Sequence, residues 1–264
     1  MSQLYLVPDI RDIGHSIQLA GEYDCAFEYN DFYDPAVLDD PEKQEEIIAC
    51  YKKYRRDFSM DTMHGAFLDV TIHSSDPRIR EVSMLRIHQS MEIAKKLGLK
   101  AVIFHTGRLA GFRVDFYLEQ WKKQNASFFR KLAEEYPDQQ IYMENMFDEA
   151  PDILAGLAEN MKDVKNFGVC LDYAHAALTG CPGSEWVETL ADYICHVHIN
   201  DNDLHNDLHQ PLGTGQIDWK DFDCLLRKHQ VDASVLIEVN GFDAQKKSLA
   251  YMKQHGIYPE NYCK

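Results

Sequence analysis

The chain has no C-x-x-C pair among its seven cysteines, which removes the usual thiolate metal and redox motifs and leaves free thiols in a reducing compartment as the expectation. No G-x-G-x-x-G or Walker sequence occurs, which argues against an open nucleotide-binding sheet. No apolar run approaches the ~18 residues that cross a bilayer. Met1–Arg11 lacks the pattern of a signal peptide, so the expected location is the cytoplasm. Positive charge is scarce: 27 Lys and Arg stand against 43 Asp and Glu, a formal net charge of −16. That balance disfavours nucleic acid and anionic membranes as partners, which call for a basic patch. Bound dications would offset the negative charge locally.

What is present is alternation. Short β-rich runs fall at Leu4–Val7, Cys25–Tyr29, Met60–His64, Ala101–Phe104, Gln140–Glu144, Phe167–Asp172, Tyr193–Asn200 and Ser234–Val239. Between and after them lie helical patterns at Ile10–Ala20, Glu42–Arg56, Pro77–Leu97, Asp115–Tyr136, Pro151–Met161, Ser184–Ala191, Trp219–His229 and Asp243–His255. Pro77 opens the third helix and Gly98 closes it. Ser184 is the expected N-cap of the sixth. No linker or low-complexity tract interrupts the series. Eight β/α units in 264 residues predict an α/β fold, a single (β/α)8 TIM barrel over residues 1–264.

The chemistry gathers where such strands end. The stretch Ile194–Gly215 begins as a strand and turns into a loop crowded with Asp and His. Strands three to eight end at or beside His64, His105, Glu144, Asp172, His198 and Glu238, and His175, Asp207 and His209 follow in the loops. A lone His at a strand end is more often a core residue than a ligand. A set at the catalytic mouth of a barrel is different. Four carboxylates at one point would repel and raise one another's pKa, a conflict that divalent cations remove. Imidazoles and carboxylates without thiolates suit Zn2+, Mn2+, Fe2+ or Co2+ better than Ca2+ or Mg2+. His196 faces the same side as His198 one layer deeper, where packing or support of a ligand is expected. Asp201, Asp203 and His205 are expected to face water. Arg108 and Phe67 are expected to bind substrate, with Arg113, Phe32 and Tyr33 as further candidates. The segment from Glu28 to Asp34 reads as an acidic loop.

The motifs His64-Gly65-Ala66-Phe67, Phe104-His105-Thr106-Gly107, Glu144-Asn145, Asp172-Tyr173-Ala174-His175, His198-Ile199-Asn200-Asp201, Asp207-Leu208-His209-Gln210-Pro211 and Ile237-Glu238 occur in this order. Together they resemble the xylose isomerase-like TIM barrels, the group that joins sugar isomerases and epimerases with endonuclease IV. In the epimerases the resemblance implies one cation held by Glu144, Asp172, His198 and Glu238. Glu144 and Glu238 would also be the acid–base pair beside a carbonyl, acting on a metal-stabilised enediolate, and His175 would bind a substrate oxygen. The epimerases carry an Arg six residues after the metal His, where this chain has Leu204. Endonuclease IV has three zinc ions on nine ligands, corresponding to His64, His105, Glu144, Asp172, His175, His198, Asp207, His209 and Glu238. The expectation is therefore a metal-dependent sugar or sugar phosphate isomerase or epimerase, with a multi-zinc phosphodiester hydrolase as the alternative. A small sugar is the expected partner, nucleic acid and membrane are not, and a homo-oligomer is expected by analogy.

Overall fold

The structure is a computed structural model that describes residues 3–54 and 57–257. Eight parallel strands close into a barrel in chain order: β1 (Leu4–Leu6), β2 (Ala26–Tyr29), β3 (Thr62–His64), β4 (Ala101–His105), β5 (Gln140–Glu144), β6 (Phe167–Asp172), β7 (Ile194–Ile199) and β8 (Ser234–Ile237). The last pairs with the first, Leu236 lying opposite Tyr5. This is the (β/α)8 TIM barrel that the alternation predicts.

Period-two alternation divides every strand between two environments. Outward side chains such as Leu6, Phe27, Met63, Val102, Met143, Leu171, Val197 and Val235 join the large apolar cluster beneath the helices. Inward side chains form only two small apolar clusters, Tyr5 with Val7, Ala26 and Leu236, and Ala101 with Ile103, Tyr142 and Cys170. The rest of the barrel interior is polar and buried, with Glu28, Thr62, His64, Glu144, Asp172, His196 and His198 among its members.

The helices are α1 (Ile13–Tyr23), α2 (Pro35–Leu38), α3 (Pro41–Tyr54), α4 (Pro77–Leu97), α5 (Asp115–Glu135), α6 (Asp152–Met161), α7 (Tyr173–Ala177), α8 (Gly183–Leu190), α9 (Trp219–Lys228) and α10 (Phe242–His255). The expected boundaries of α4 hold: Asp76 accepts from Arg78 N at 2.8 Å and Gly98 takes φ +72°. The expected Ser184 cap does not form. Pro182, with φ fixed at −59°, is the N-cap residue of α8, so the helix begins at Gly183 without a side-chain cap. Two short helices were not expected, α2 and α7. Each is capped by an aspartate, Asp34 accepting from Ala36 N and Asp172 from His175 N. The predicted end of the second helix at Arg56 lies outside the described residues.

Candidate metal centre

The strand register places Glu144 opposite His105 on one side and Cys170 on the other, and Asp172 opposite His198. His64, Glu144, Asp172, His175, His198 and Glu238 are buried, His105 has a side chain only 7% exposed, and His209 and Asp207 stand at the rim with side chains 29% and 26% exposed. All nine predicted positions are brought to one end of the barrel. Their ligand atoms form three groups, each mutually within 4.8 Å: His64, His105 and Glu144; Glu144, Asp172, His198 and Glu238; and His175, Asp207 and His209. Glu144 belongs to two of them.

The orientation of the imidazoles favours a cation. His64 Nδ1 donates to Gly65 O at 2.9 Å, His175 Nδ1 to Asn145 O at 3.0 Å, and His209 Nδ1 to Glu238 O at 2.9 Å. A carbonyl only accepts, so each neutral ring keeps its Nε2 lone pair for the site. His64 Nε2 and His105 Nε2 then meet at 3.0 Å, each 3.5 Å from Glu144 Oε2. His198 Nδ1 lies 3.3 Å from Glu144 Oε2 and 3.4 Å from Glu238 Oε2. Asp207 Oδ2 lies 3.4 Å from His175 Nε2 and 3.3 Å from His209 Nε2. Both oxygens of Glu144, Asp172 Oδ2, Glu238 Oε2 and His198 Nδ1 are nevertheless buried without a hydrogen-bond partner. Buried, unsatisfied carboxylate oxygens are costly, and cations at their focus would satisfy them together. The donor set fits divalent ions of the zinc or manganese kind.

The electrostatics carry the same imprint. Burial pushes the Glu144 carboxyl up, but His198 and His105 overrule it and hold it well below its usual range. Burial raises Asp172 to about 7, opposed by His175 and reinforced by Glu238 and Glu144. Burial would lower His175 and His209, yet both rise to about 10 through Asp172 and Asp207 for the first and Asp207 and Glu238 for the second. Without cations, the site collects protons to balance its carboxylates.

The loop carrying Asp207 and His209 is built on Asp201. The structure corrects the expectation that Asp201 faces water: it is fully buried and accepts from Asn202 N, Gly213 N and Ile217 N at 3.1, 2.8 and 3.2 Å. It also exchanges backbone hydrogen bonds with Gln210. Any side chain at Gly215 would strike Asn202 O and Asp201 Oδ1, both 2.3 Å from its Cβ position. Asp203 only caps the turn through His205 N and Asn206 N, and His205 is exposed as expected.

Glu28 was missed as a site residue. It lies in β2, within the predicted second strand, and its side chain is fully buried inside the barrel instead of contributing to an acidic loop. Its flanking Phe27 and Tyr29 face outward into the main cluster, so alternation alone would have turned Glu28 inward. His196 sits beside it, one layer beneath His198 as predicted, with Nε2 3.2 Å from Glu28 Oε2.

A cavity of about 800 Å³ opens over the candidate ligands. Phe67 and Tyr33 line it, the Phe67 ring 4.9 Å from His64 and 4.8 Å from His105, and the Tyr33 ring tilted against Phe67 at 4.9 Å. The structure does not bring Arg108 to this cavity: its guanidinium is buried between Asp148, at 2.8 Å, and Glu149. Those carboxylates follow β5, so Arg108 braces neighbouring loops. Arg113 pairs with Asp152 at 2.7 Å, and Phe32 is fully buried in the core. No helix of the described residues is long and apolar enough to cross a membrane.

Comparison with known proteins agrees with this architecture. The chain is 27% identical over 204 residues to the uncharacterized protein MJ1311 of Methanocaldococcus jannaschii, covering 73% of this chain and 69% of that one. It is 26% identical over 206 residues to a probable endonuclease 4 of Mycobacterium ulcerans, covering 73% and 77%. A crystal structure of a D-tagatose 3-epimerase-like protein superposes with a TM-score of 0.77 at 23% identity, over 99% of this chain and all of the other. A model of the xylose isomerase-like TIM barrel matches residues 23–255, and the chain belongs to that family.

Proposed function

We propose that this protein is a hydrolase of compact phosphate esters, such as sugar phosphates, working at a cluster of divalent cations. The observation that carries the reading is the division of the ligand atoms into three groups, two of them sharing Glu144. An isomerase of the epimerase kind needs only the tetrad Glu144, Asp172, His198 and Glu238. With His175 on a substrate oxygen, it still leaves His64, His105, Asp207 and His209 without a task. The likeness to a probable endonuclease 4 supports the cluster. When bound, such cations neutralise charge on a phosphoryl group and lower the pKa of water. His64, His105 and Glu144 would hold one, the tetrad a second, and His175, Asp207 and His209 a third.

The walls of the cavity support a small substrate. Arg11 is the arginine lining it, and both its Nε and Nη2 donate to Asp9 at 2.9 Å. Asp31, Asn30 and Asn240 also line it. These are groups that hold hydroxyls, whereas a duplex needs many free cations along its backbone. Phe67 and Tyr33 would exclude water from one side and present an apolar face to a sugar ring. Glu144 and Glu238 would orient the groups around the reacting atom.

Elemental analysis of protein purified without chelator, joined to assays of phosphate release from sugar phosphates, tests the reading. Two to three ions per chain and phosphate release are expected, with little action on an abasic-site duplex. One ion per chain with interconversion of ketoses, and no phosphate release, would instead establish the isomerase reading, which the tetrad with its two glutamates favours.

A further inference from the structure

Beneath the candidate ligands the barrel interior holds a second, deeper group of polar side chains that the proposed reaction does not use. Glu28 is its centre. Its Oε2 accepts from Thr62 Oγ1 at 2.7 Å and lies 3.2 Å from His196 Nε2, while its Oε1 lies 3.0 Å from His198 Nε2. The side chains of Glu28, His196 and His198 are all fully buried. His196 is itself fixed, its Nδ1 2.6 Å from Ser234 Oγ, its ring edge-on to Tyr5 and parallel to Tyr142. Four strands, β2, β3, β7 and β8, thus hold one carboxylate in place.

Of the strand-borne candidate imidazoles, His64 is oriented by a backbone carbonyl whereas His105 and His198 are not; behind His198, Glu28 stands where the carbonyl would be. We propose that Glu28 is a positioning residue: its carboxylate, 3.0 Å from His198 Nε2 in ion-pair contact, favours the proton on that nitrogen and thereby leaves Nδ1 for Glu144, Glu238 and the cation they share. This rests on the metal-centre reading, not on the reaction. If stability were the only gain, apolar side chains of the same volume would serve as well as a carboxylate buried among imidazoles. A carboxylate behind a ligating histidine fixes its tautomer and raises its basicity, and its loss weakens metal binding by about 10–100-fold.

The test uses the full chain, with Zn2+ affinity measured by chelator competition and Co2+ as the spectroscopic probe. Glu28→Ala is expected to weaken Zn2+ binding by about 100-fold and to change the visible Co2+ spectrum, as His198→Ala should. Glu28→Gln keeps an oxygen for His198 but loses the charge, and about 10-fold weaker binding is expected. Glu28→Gln with the wild-type affinity and Co2+ spectrum overturns the proposal, whether or not Glu28→Ala folds, and a fall in the melting temperature of the metal-free protein alone does not rescue it. Failure of the wild-type chain to bind Zn2+ or Co2+ would instead remove the metal centre itself, a distinct outcome.

Discussion

Two kinds of ligand meet at the mouth of the barrel, and they are held by different means. Glu144, Asp172 and His198 stand at or next to strand ends and are fully buried; Glu144 and His198 have ladder neighbours on both sides, and Asp172 has His198 on one side and the Asn145 amide on the other. Asp207 and His209 lie on a loop whose position depends on Asp201. His209 even takes φ +46°, a left-handed backbone that costs a non-glycine residue about 1 kcal/mol. A ladder fixes a ligand whether or not a cation is present. A loop does so only while its own hydrogen bonds last, so the loop-borne ion should bind more weakly and leave first under chelation.

The sharpest way to break the comparison is at the residue shared between groups. Glu144→Gln should lower turnover by about 10³-fold, the several kcal/mol that bound cations contribute to such reactions. Metal content should fall toward the single loop-borne ion. Because neither Glu144 oxygen has a hydrogen-bond partner, circular dichroism and melting of the metal-free variant should show an intact fold. Asp207→Asn reverses the pattern: one ion is lost, the two strand-borne ions stay, and turnover falls by about 10–100-fold. Equal loss of all ions from either variant would show that strand and loop ligands act as one unit.

The same contrast governs what could be read in the sequence. Strand-end ligands were legible because a polar residue closing an apolar run marks the catalytic face of a barrel. Glu28 carried that signal as well, one residue before the end of the predicted strand Cys25–Tyr29, but the acidic residues after it masked it. Asp201 was not legible, since its partners Gly213 N and Ile217 N come from the far side of the loop. Arg108 misled for the same reason: Asp148 and Glu149, which bury its charge, lie on the next unit of the barrel. Helices α2 and α7 span four and five residues, too few for a 3.6-residue period to show.

Asp201 lies outside the candidate ligand groups, so it tests the loop without removing a ligand. Asp201→Ala leaves three backbone N–H groups without their acceptor, at a cost of about 1–3 kcal/mol. The variant should melt at a lower temperature and lose the loop-borne ion selectively, while the Co2+ spectrum of the strand-borne sites stays as in the wild type. Full retention of all ions after that loss of stability would mean that Asp207 and His209 are held by the cations themselves.

A second loop sharpens the contrast with a smaller effect. His73, in the segment after β3, contacts Tyr117 Oη at 3.0 Å through Nε2, and that hydroxyl accepts from Leu109 N at 2.8 Å, tying two loops to α5. Burial, with Arg108 adding to it, lowers the His73 pKa from 6.5 to about 4. In the folded state the ring therefore stays neutral where the unfolded chain would protonate it. Its contribution to stability is whole above pH 6.5 and is lost as the pH falls toward about 4. The full shift would correspond to about 3 kcal/mol, and relaxation around the charged ring should leave about 1 kcal/mol to observe. His73→Gln keeps a hydrogen-bonding side chain but cannot titrate, so its stability should fall less than that of the wild type between pH 7 and pH 4.5 in urea melts on metal-free protein. Parallel pH profiles for the two would show that the anchor after β3 opens in acid before His73 is protonated, and that this loop, like the one after β7, is no firmer than its local hydrogen bonds.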